Sequence, residues 1–122
     1  MSRSARHFLD LLDVELEDIC SDLREMEDLM RTRIAASDLT EYVFQENSAF
    51  LEYEIACISR LRTAIRNHAF DPADDLDASA AEVLRLCTAE TRRMQMPPSI
   101  CLLVGRRIRK LMQFLNATES PD

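Results

Sequence analysis

The sequence predicts an all-α protein, built as a long antiparallel helical hairpin followed by two shorter helices. Along the first 30 residues, apolar side chains recur at alternating steps of four and three, the heptad spacing of a helix that packs on a neighbour. This seam consists of Ala5, Leu9, Leu12, Leu16, Ile19, Leu23, Met26 and Met30. Glycine occurs once, which favours helices over glycine-dependent turns. We therefore expect one domain over residues 1–122, a three- or four-helix bundle.

The first two helices are predicted over residues 5–36 and 38–69. Ser4 is the expected cap of the first, because its hydroxyl can accept a free backbone N–H, and Asp38 with Glu41 resembles a capping box for the second. The second helix carries two adjacent apolar stripes, which predicts two packing partners. One stripe comprises Leu39, Val43, Phe50, Cys57 and Leu61, and the other comprises Phe44, Leu51, Ile55, Ile58 and Ile65.

The third and fourth helices are predicted over residues 77–95 and 99–116. Pro72 and a polar link separate the third helix from the hairpin, and Pro97 with Pro98 ends it, since proline disrupts the helix interior. Ser99 is the expected cap of the fourth helix, which is strongly amphipathic. Its apolar stripe comprises Cys101, Val104, Ile108, Leu111 and Leu115.

Charge and composition limit the classes of function. The net charge is −7, and residues 1–60 hold 14 acidic against 6 basic side chains, so we expect no nucleic-acid partner. No apolar stretch approaches the roughly 20 residues of a membrane-spanning helix, which predicts no membrane insertion. Widely spaced cysteines indicate reduced thiols, and we expect a cytoplasmic protein.

Two clusters are candidates for metal binding, each with a simpler explanation. One cysteine falls on each predicted helix, at Cys20, Cys57, Cys87 and Cys101, which permits a four-cysteine zinc site or ordinary core packing. His7 and His68, with Asp10 and Asp71 nearby, lie at the same end of the hairpin. They form either a histidine–carboxylate site or a polar helix end without a ligand. No nucleophilic triad or phosphate-binding loop is recognisable, so we expect a non-enzyme without a cofactor.

The hairpin with its turn at Ala36-Ser37-Asp38-Leu39, followed by a polar link and weaker C-terminal helices, resembles the FlgN family of flagellar export chaperones. Family members often carry Asn and Gln at the start of the last helix, where this chain has Met96-Pro97-Pro98-Ser99. The resemblance implies a cytoplasmic chaperone that holds C-terminal helical segments of hook–filament junction proteins before export.

A partner of this kind would present an amphipathic helix to a groove beside the fourth helix. The residues expected to bind it are Val104, Ile108, Leu111, Met112 and Leu115. The alternative is a self-associating scaffold, a homodimer formed through the heptad seam or the stripe of the fourth helix. The basic cluster Arg106, Arg107, Arg109 and Lys110 could contact the acidic first helix or an acidic partner, and pairing with the first helix is the simpler expectation.

Overall fold

A computed structural model of the chain describes residues 1–36 and 39–118, and over these residues it confirms the all-α bundle. Four helices are present in that part of the chain: α1 (Arg3–Ala35), α2 (Glu41–Asn67), α3 (Leu76–Arg93) and α4 (Pro98–Thr118). The predicted bounds differ from these by three residues or fewer.

The predicted caps of the hairpin helices are replaced by neighbouring residues. Ser2, and not Ser4, caps α1, since its Oγ accepts the backbone N–H of Ala5 at 3.0 Å, while Ser4 is buried inside the first turn. Thr40 caps α2 and accepts the N–H of Val43 at 3.3 Å. The predicted cap Asp38 lies outside the described residues. Ser, Thr and Asp all serve as caps, so the sequence offered several candidates within a few residues.

The shorter helices also begin one residue earlier than predicted. Asp75 caps α3 by accepting the N–H of Ala78 at 2.9 Å, which moves the start to Leu76. The helix α4 begins at Pro98 instead of after a Ser99 cap. Proline suits the first position of a helix because its missing N–H would have no partner there.

The two long helices are antiparallel and are joined by polar contacts along their length. Arg62 of α2 donates to Asp13 of α1 at 2.7 Å and 3.0 Å, and also pairs with Glu17. Nearer the turn, Ser48 donates to Glu27 at 2.9 Å. Hydrogen bonds from Arg62 hold the pKa of Asp13 below its usual value of 3.8.

The helix α3 returns along α2 and is antiparallel to it. His68 lies 3.8 Å from Glu82, and Arg60 lies 4.0 Å from Glu90. The N–H of Ser2 donates to the carbonyl of Asp74 at 3.2 Å, which ties the start of α1 to the link before α3.

A Schellman turn connects α3 to α4. Gln95 adopts a positive φ of 53°, its N–H donates to the carbonyl of Arg92, and the N–H of Met96 donates to that of Thr91 at 2.9 Å. The chain then packs α4 against α1 and α3. Cys101 lies 3.1 Å from the Thr91 hydroxyl, and Arg107 reaches the acidic face of α1.

One apolar cluster fills the space between the helices. Leu12, Leu16, Ile19 and Leu23 of the heptad seam are buried in this cluster, and Leu9 and Met30 pack against it half-buried, but Met26 is exposed. The largest fully buried side chains of the cluster are Phe8, Leu12, Leu16, Ile58, Leu61, Ile100, Ile108 and Leu115. No helix in the two described ranges is long and apolar enough to cross a membrane.

Candidate partner-binding surface

The predicted binding stripe of α4 is part of the core. Val104, Ile108, Leu111 and Leu115 are buried, and Met112 is half-buried against them. They face inward because α4 lies on α1 and α3, so the expected groove beside α4 is closed in this arrangement. Partner binding by these residues stays a prediction, and it requires α4 to leave the bundle first.

The expected pairing of the basic cluster with α1 is confirmed at Arg107. Its guanidinium contacts Glu15 and lies 3.2 Å from Asp18 and 4.0 Å from Asp22. Hydrogen bonding to Glu15, with a smaller contribution from Asp18, raises the pKa of Arg107. These contacts hold α4 along the acidic side of α1, over the same helical turns that bury the seam.

Three of the cysteines, Cys20, Cys57 and Cys87, are buried, and Cys101 is half-buried. The sulfur of Cys20 lies 3.9 Å from the hydroxyl of Ser59, whereas Cys101 lies 3.8 Å from the carbonyl oxygen of Cys87. Burial, together with nearby Cys101, raises the pKa of Cys87 to about 12, which favours the neutral thiol. No group of three or more His, Cys, Asp or Glu side chains among the described residues is placed to hold a metal ion.

One part of the proposed histidine site comes together in a pocket of about 400 Å³ between α1, α2 and the link after α2. Asp10 and His68 both line it, beside Arg62 and Phe70. The His68 ring meets Phe70 edge to face at 4.7 Å, and Arg62 is already paired with carboxylates of α1. Arg66, which also lines the pocket, pairs with Asp13 at 3.2 Å, so both arginines of the pocket are neutralised within the protein.

A different apolar surface is exposed at the end of the hairpin near its turn. We call residues 24–36 and 39–54 the tip, and the side chains of Met26, Met30, Val43 and Phe50 the tip face. Met26 is 53% exposed, Phe50 65% and Val43 37%, whereas Met30 is half-buried against the end of the core. Large apolar side chains grouped on one exposed surface are typical of interaction sites.

Heptad spacing shows that the tip face continues the core. Met26 follows buried Ile19 by seven residues, which is about two helical turns on the same side of α1. Phe50 and Val43 precede buried Cys57 by seven and fourteen residues on α2. The apolar stripes that are covered at the other end of the bundle thus run on into the tip.

The stripes become exposed because α3 is shorter than the hairpin. Glu90 and Met94, at the end of α3, contact Arg60 of α2. Between Arg60 and the start of α2 at Glu41, the helix extends for about 28 Å at 1.5 Å per residue. Within this length, α2 presents Phe50 and Val43 to solvent.

Apolar spacing in the sequence assigns all four tip-face residues to packing stripes, although methionines such as Met26 and Met30 are also typical of adaptable binding surfaces. The signal that could have identified them is helix length. The predicted arms of 32 residues are far longer than the predicted third helix of 19 residues, and α3 has 18 residues against 33 in α1. A stripe on a long helix cannot be covered throughout by a much shorter one.

The fold and this surface define a helical bundle with one uncovered apolar end. Comparisons of the chain with models of known protein families, with curated proteins and with solved structures found no match.

Proposed function

We propose that this protein is a helical adaptor or chaperone that binds a helical segment of another protein on the tip face. The observation that carries the proposal is the exposure of Met26 and Phe50 on stripes that are buried elsewhere in the bundle. A groove between two helices accepts the apolar side of a third helix. Burial of a Met or Phe side chain contributes roughly 1.5–3 kcal/mol, enough for a few such residues to support binding.

The resemblance to the FlgN family gives this proposal a specific form. The protein would act in the cytoplasm, without a cofactor and without catalysis, and would hold the C-terminal helical segments of flagellar hook–filament junction proteins before export. Bound on the tip face, such a segment would have its apolar side shielded from water and from other chains.

The proposal is tested by titrating the full chain with C-terminal segments of junction proteins from the same genome, in parallel with a synthetic amphipathic helix with leucines on one side and glutamines elsewhere. The test variant is Met26→Ser with Phe50→Ser. The matched control is Val14→Ser with Leu102→Ser, since these two side chains are also highly exposed. We expect the tip variant to weaken binding by about tenfold or more and the control to bind as the wild type does.

The outcomes separate the parts of the proposal. If the synthetic helix binds at the tip but the junction segments do not, the flagellar role is wrong and the adaptor role stands. If neither ligand binds, or if the tip variant binds as well as the control, the tip face is not a binding surface for helices.

The second candidate is a self-associating scaffold in which two copies pair through their tip faces. The same exposed Phe50 and Met26 favour it, because a second copy supplies an equally apolar surface. Sedimentation velocity of the chain alone distinguishes the two functions. A monomer supports the adaptor, whereas a dimer that the tip variant dissociates supports the scaffold and counts against the adaptor.

A further inference from the structure

We infer that the partner of the tip is a basic amphipathic helix, with lysine or arginine residues on both sides of its apolar stripe. This inference rests on the proposed function and specifies the chemistry of the occupant. It depends on the charges around the tip face and on the packing of the basic helix α4 against the acidic helix α1.

The tip is strongly acidic. Its described residues carry seven carboxylates, Glu25, Glu27, Asp28, Glu41, Glu46, Glu52 and Glu54, against Arg24, Arg31 and Arg33. Two of the arginines already form ion pairs. Arg31 pairs with Glu27 and Asp28, and Arg24 lies 3.6 Å from Glu17. The net charge of the tip is therefore negative, and most of its arginine charge is already matched.

Two carboxylates border Phe50, the aromatic side chain of the tip face. Glu46 precedes Phe50 by four residues and Glu54 follows it by four, which places both on the same side of α2. Neither makes an ion pair within residues 1–36 and 39–118. A helix laid over Phe50 would bring its flanking side chains close to these two carboxylates, where a cation is favoured and a carboxylate is repelled.

The helix α4 is an internal example of such an occupant. It covers the acidic α1 with an apolar stripe that includes Val104 and Ile108, and its Arg107 meets Glu15 and Asp18 beside that stripe. The protein thus covers one apolar, acid-bordered stretch with a basic amphipathic helix. The tip presents a second stretch of the same chemistry without a helix on it.

The other possible occupants are less suited to this surface. Residues 119–122 are Glu-Ser-Pro-Asp, which include two acids, no base and no large apolar side chain. A second copy of the chain would bring an equally acidic tip against Glu46 and Glu54, and like charges across an interface oppose binding.

The inference is tested with synthetic helices of about 18 residues, or about 27 Å, which have identical leucines and differ only at the flanking positions. One set carries lysine there, one glutamine and one glutamate, and binding to the full chain is measured by fluorescence anisotropy. We expect the lysine peptide to bind about tenfold more tightly than the glutamine peptide at about 0.05 M salt. At about 0.3 M salt, the difference should shrink.

The matched variants locate the charge effect. Glu46→Gln with Glu54→Gln should reduce the preference for lysine to about threefold or less. The control, Glu25→Gln with Glu52→Gln, changes the net charge equally at the same end, but Glu52 lies about 200° around α2 from Phe50. This control should keep the tenfold preference.

Three results would overturn the inference, and only one would affect the proposed function. Equal binding of lysine and glutamine peptides, abolished by Met26→Ser with Phe50→Ser, would retain the helix-binding tip and refute its charge preference. An equal loss of preference in both glutamate variants would show general attraction to an acidic protein. Failure of all three peptides to bind would refute the inference together with the proposed function.

Discussion

At the scale of single residues, Ser79 carries a buried hydroxyl that the fold does not use. The residue is 0% exposed, and its Oγ has no hydrogen-bond partner among the described residues. Burial of a hydroxyl without a partner costs about 1–3 kcal/mol, which removal of the oxygen would recover in part. We therefore predict that Ser79→Ala leaves the free energy of unfolding unchanged or raises it by up to about 1 kcal/mol.

Thr91 is the matched comparison for Ser79. It is also buried in α3, but its Oγ1 donates to the carbonyl of Cys87 at 2.7 Å. Thr91→Val should lower the free energy of unfolding by about 0.5–1.5 kcal/mol. Urea titration of the wild type and of both variants measures the two effects. If both variants are destabilised alike, the Ser79 hydroxyl has a role in the fold that the static contacts do not explain.

Asp13 gives the hairpin a specific response to acid. Because Arg62 holds the folded-state pKa of Asp13 below 3.8, the folded protein binds this proton less readily than the unfolded chain. Its contribution to stability is complete above about pH 4 and is lost as the pH falls through the folded-state pKa. We predict that Asp13→Asn lowers stability by about 0.5–1 kcal/mol near pH 6, because the pair is partly exposed.

The pH dependence checks the cause of this loss. The stability difference between the wild type and Asp13→Asn should be constant from about pH 5 to 7 and shrink below about pH 4 in thermal unfolding. Asp10→Asn is the control, since Asp10 is exposed in the preceding turn and makes no ion pair among the described residues. A difference that persists unchanged to about pH 2 would contradict the role of the Asp13 carboxylate.

At the scale of elements, α4 is a structural helix in this bundle, and its two sides should respond differently to truncation. Ile108 is buried, so Ile108→Ala should cost about 3 kcal/mol through lost burial and the cavity left behind. Leu102 is 62% exposed on the same helix, and Leu102→Ala should change stability by about 0.5 kcal/mol or less. Urea denaturation measures both.

The stability cost of Ile108→Ala also decides whether substitutions in the α4 stripe can be used to test partner binding. A small cost for Ile108→Ala would indicate that α4 separates readily from α1, as binding through its stripe requires. A large cost means that lost partner binding in such a variant reports damage to the bundle. Substitutions on the tip face avoid this difficulty, because Phe50 is already exposed.

At the scale of the whole molecule, the sequence predicted the helices and most of the core. The spacing of Leu12, Leu16 and Ile19 specifies which side of α1 is apolar, and all three are buried. The same spacing continues through Met26, which is exposed. Periodicity identifies the apolar side of a helix but contains no information on how far the neighbouring helix extends.

The position of α4 was the second feature beyond the reach of local patterns. Its stripe could have faced a partner, a second copy or the chain itself. The side that the stripe faces depends on the turn at Gln95 and on the contact of Arg107 with Glu15 across the bundle. A positive φ is usually signalled by glycine in a sequence, but here the residue is glutamine. The turn and the contact are both properties of the assembled fold.

Because α3 and α4 cover only part of the hairpin, we expect amide hydrogen exchange to differ between its covered and uncovered parts. Local opening is easiest where few apolar contacts hold a helix, and the tip lacks the cover that α3 and α4 give to the rest of α1 and α2. We predict that backbone amides in residues 26–34 and 43–50 exchange with deuterium about tenfold faster or more than those in residues 12–20 and 57–65. Hydrogen exchange followed by NMR measures this directly.

A helix bound on the tip face should slow exchange there and leave the rest of the hairpin nearly unchanged, because binding supplies the missing apolar contacts. In the variant with Met26→Ser and Phe50→Ser, the same peptide should give little added protection. Equal protection along both arms in the free protein would contradict the prediction, since it would mean that the exposed end is held as firmly as the covered core.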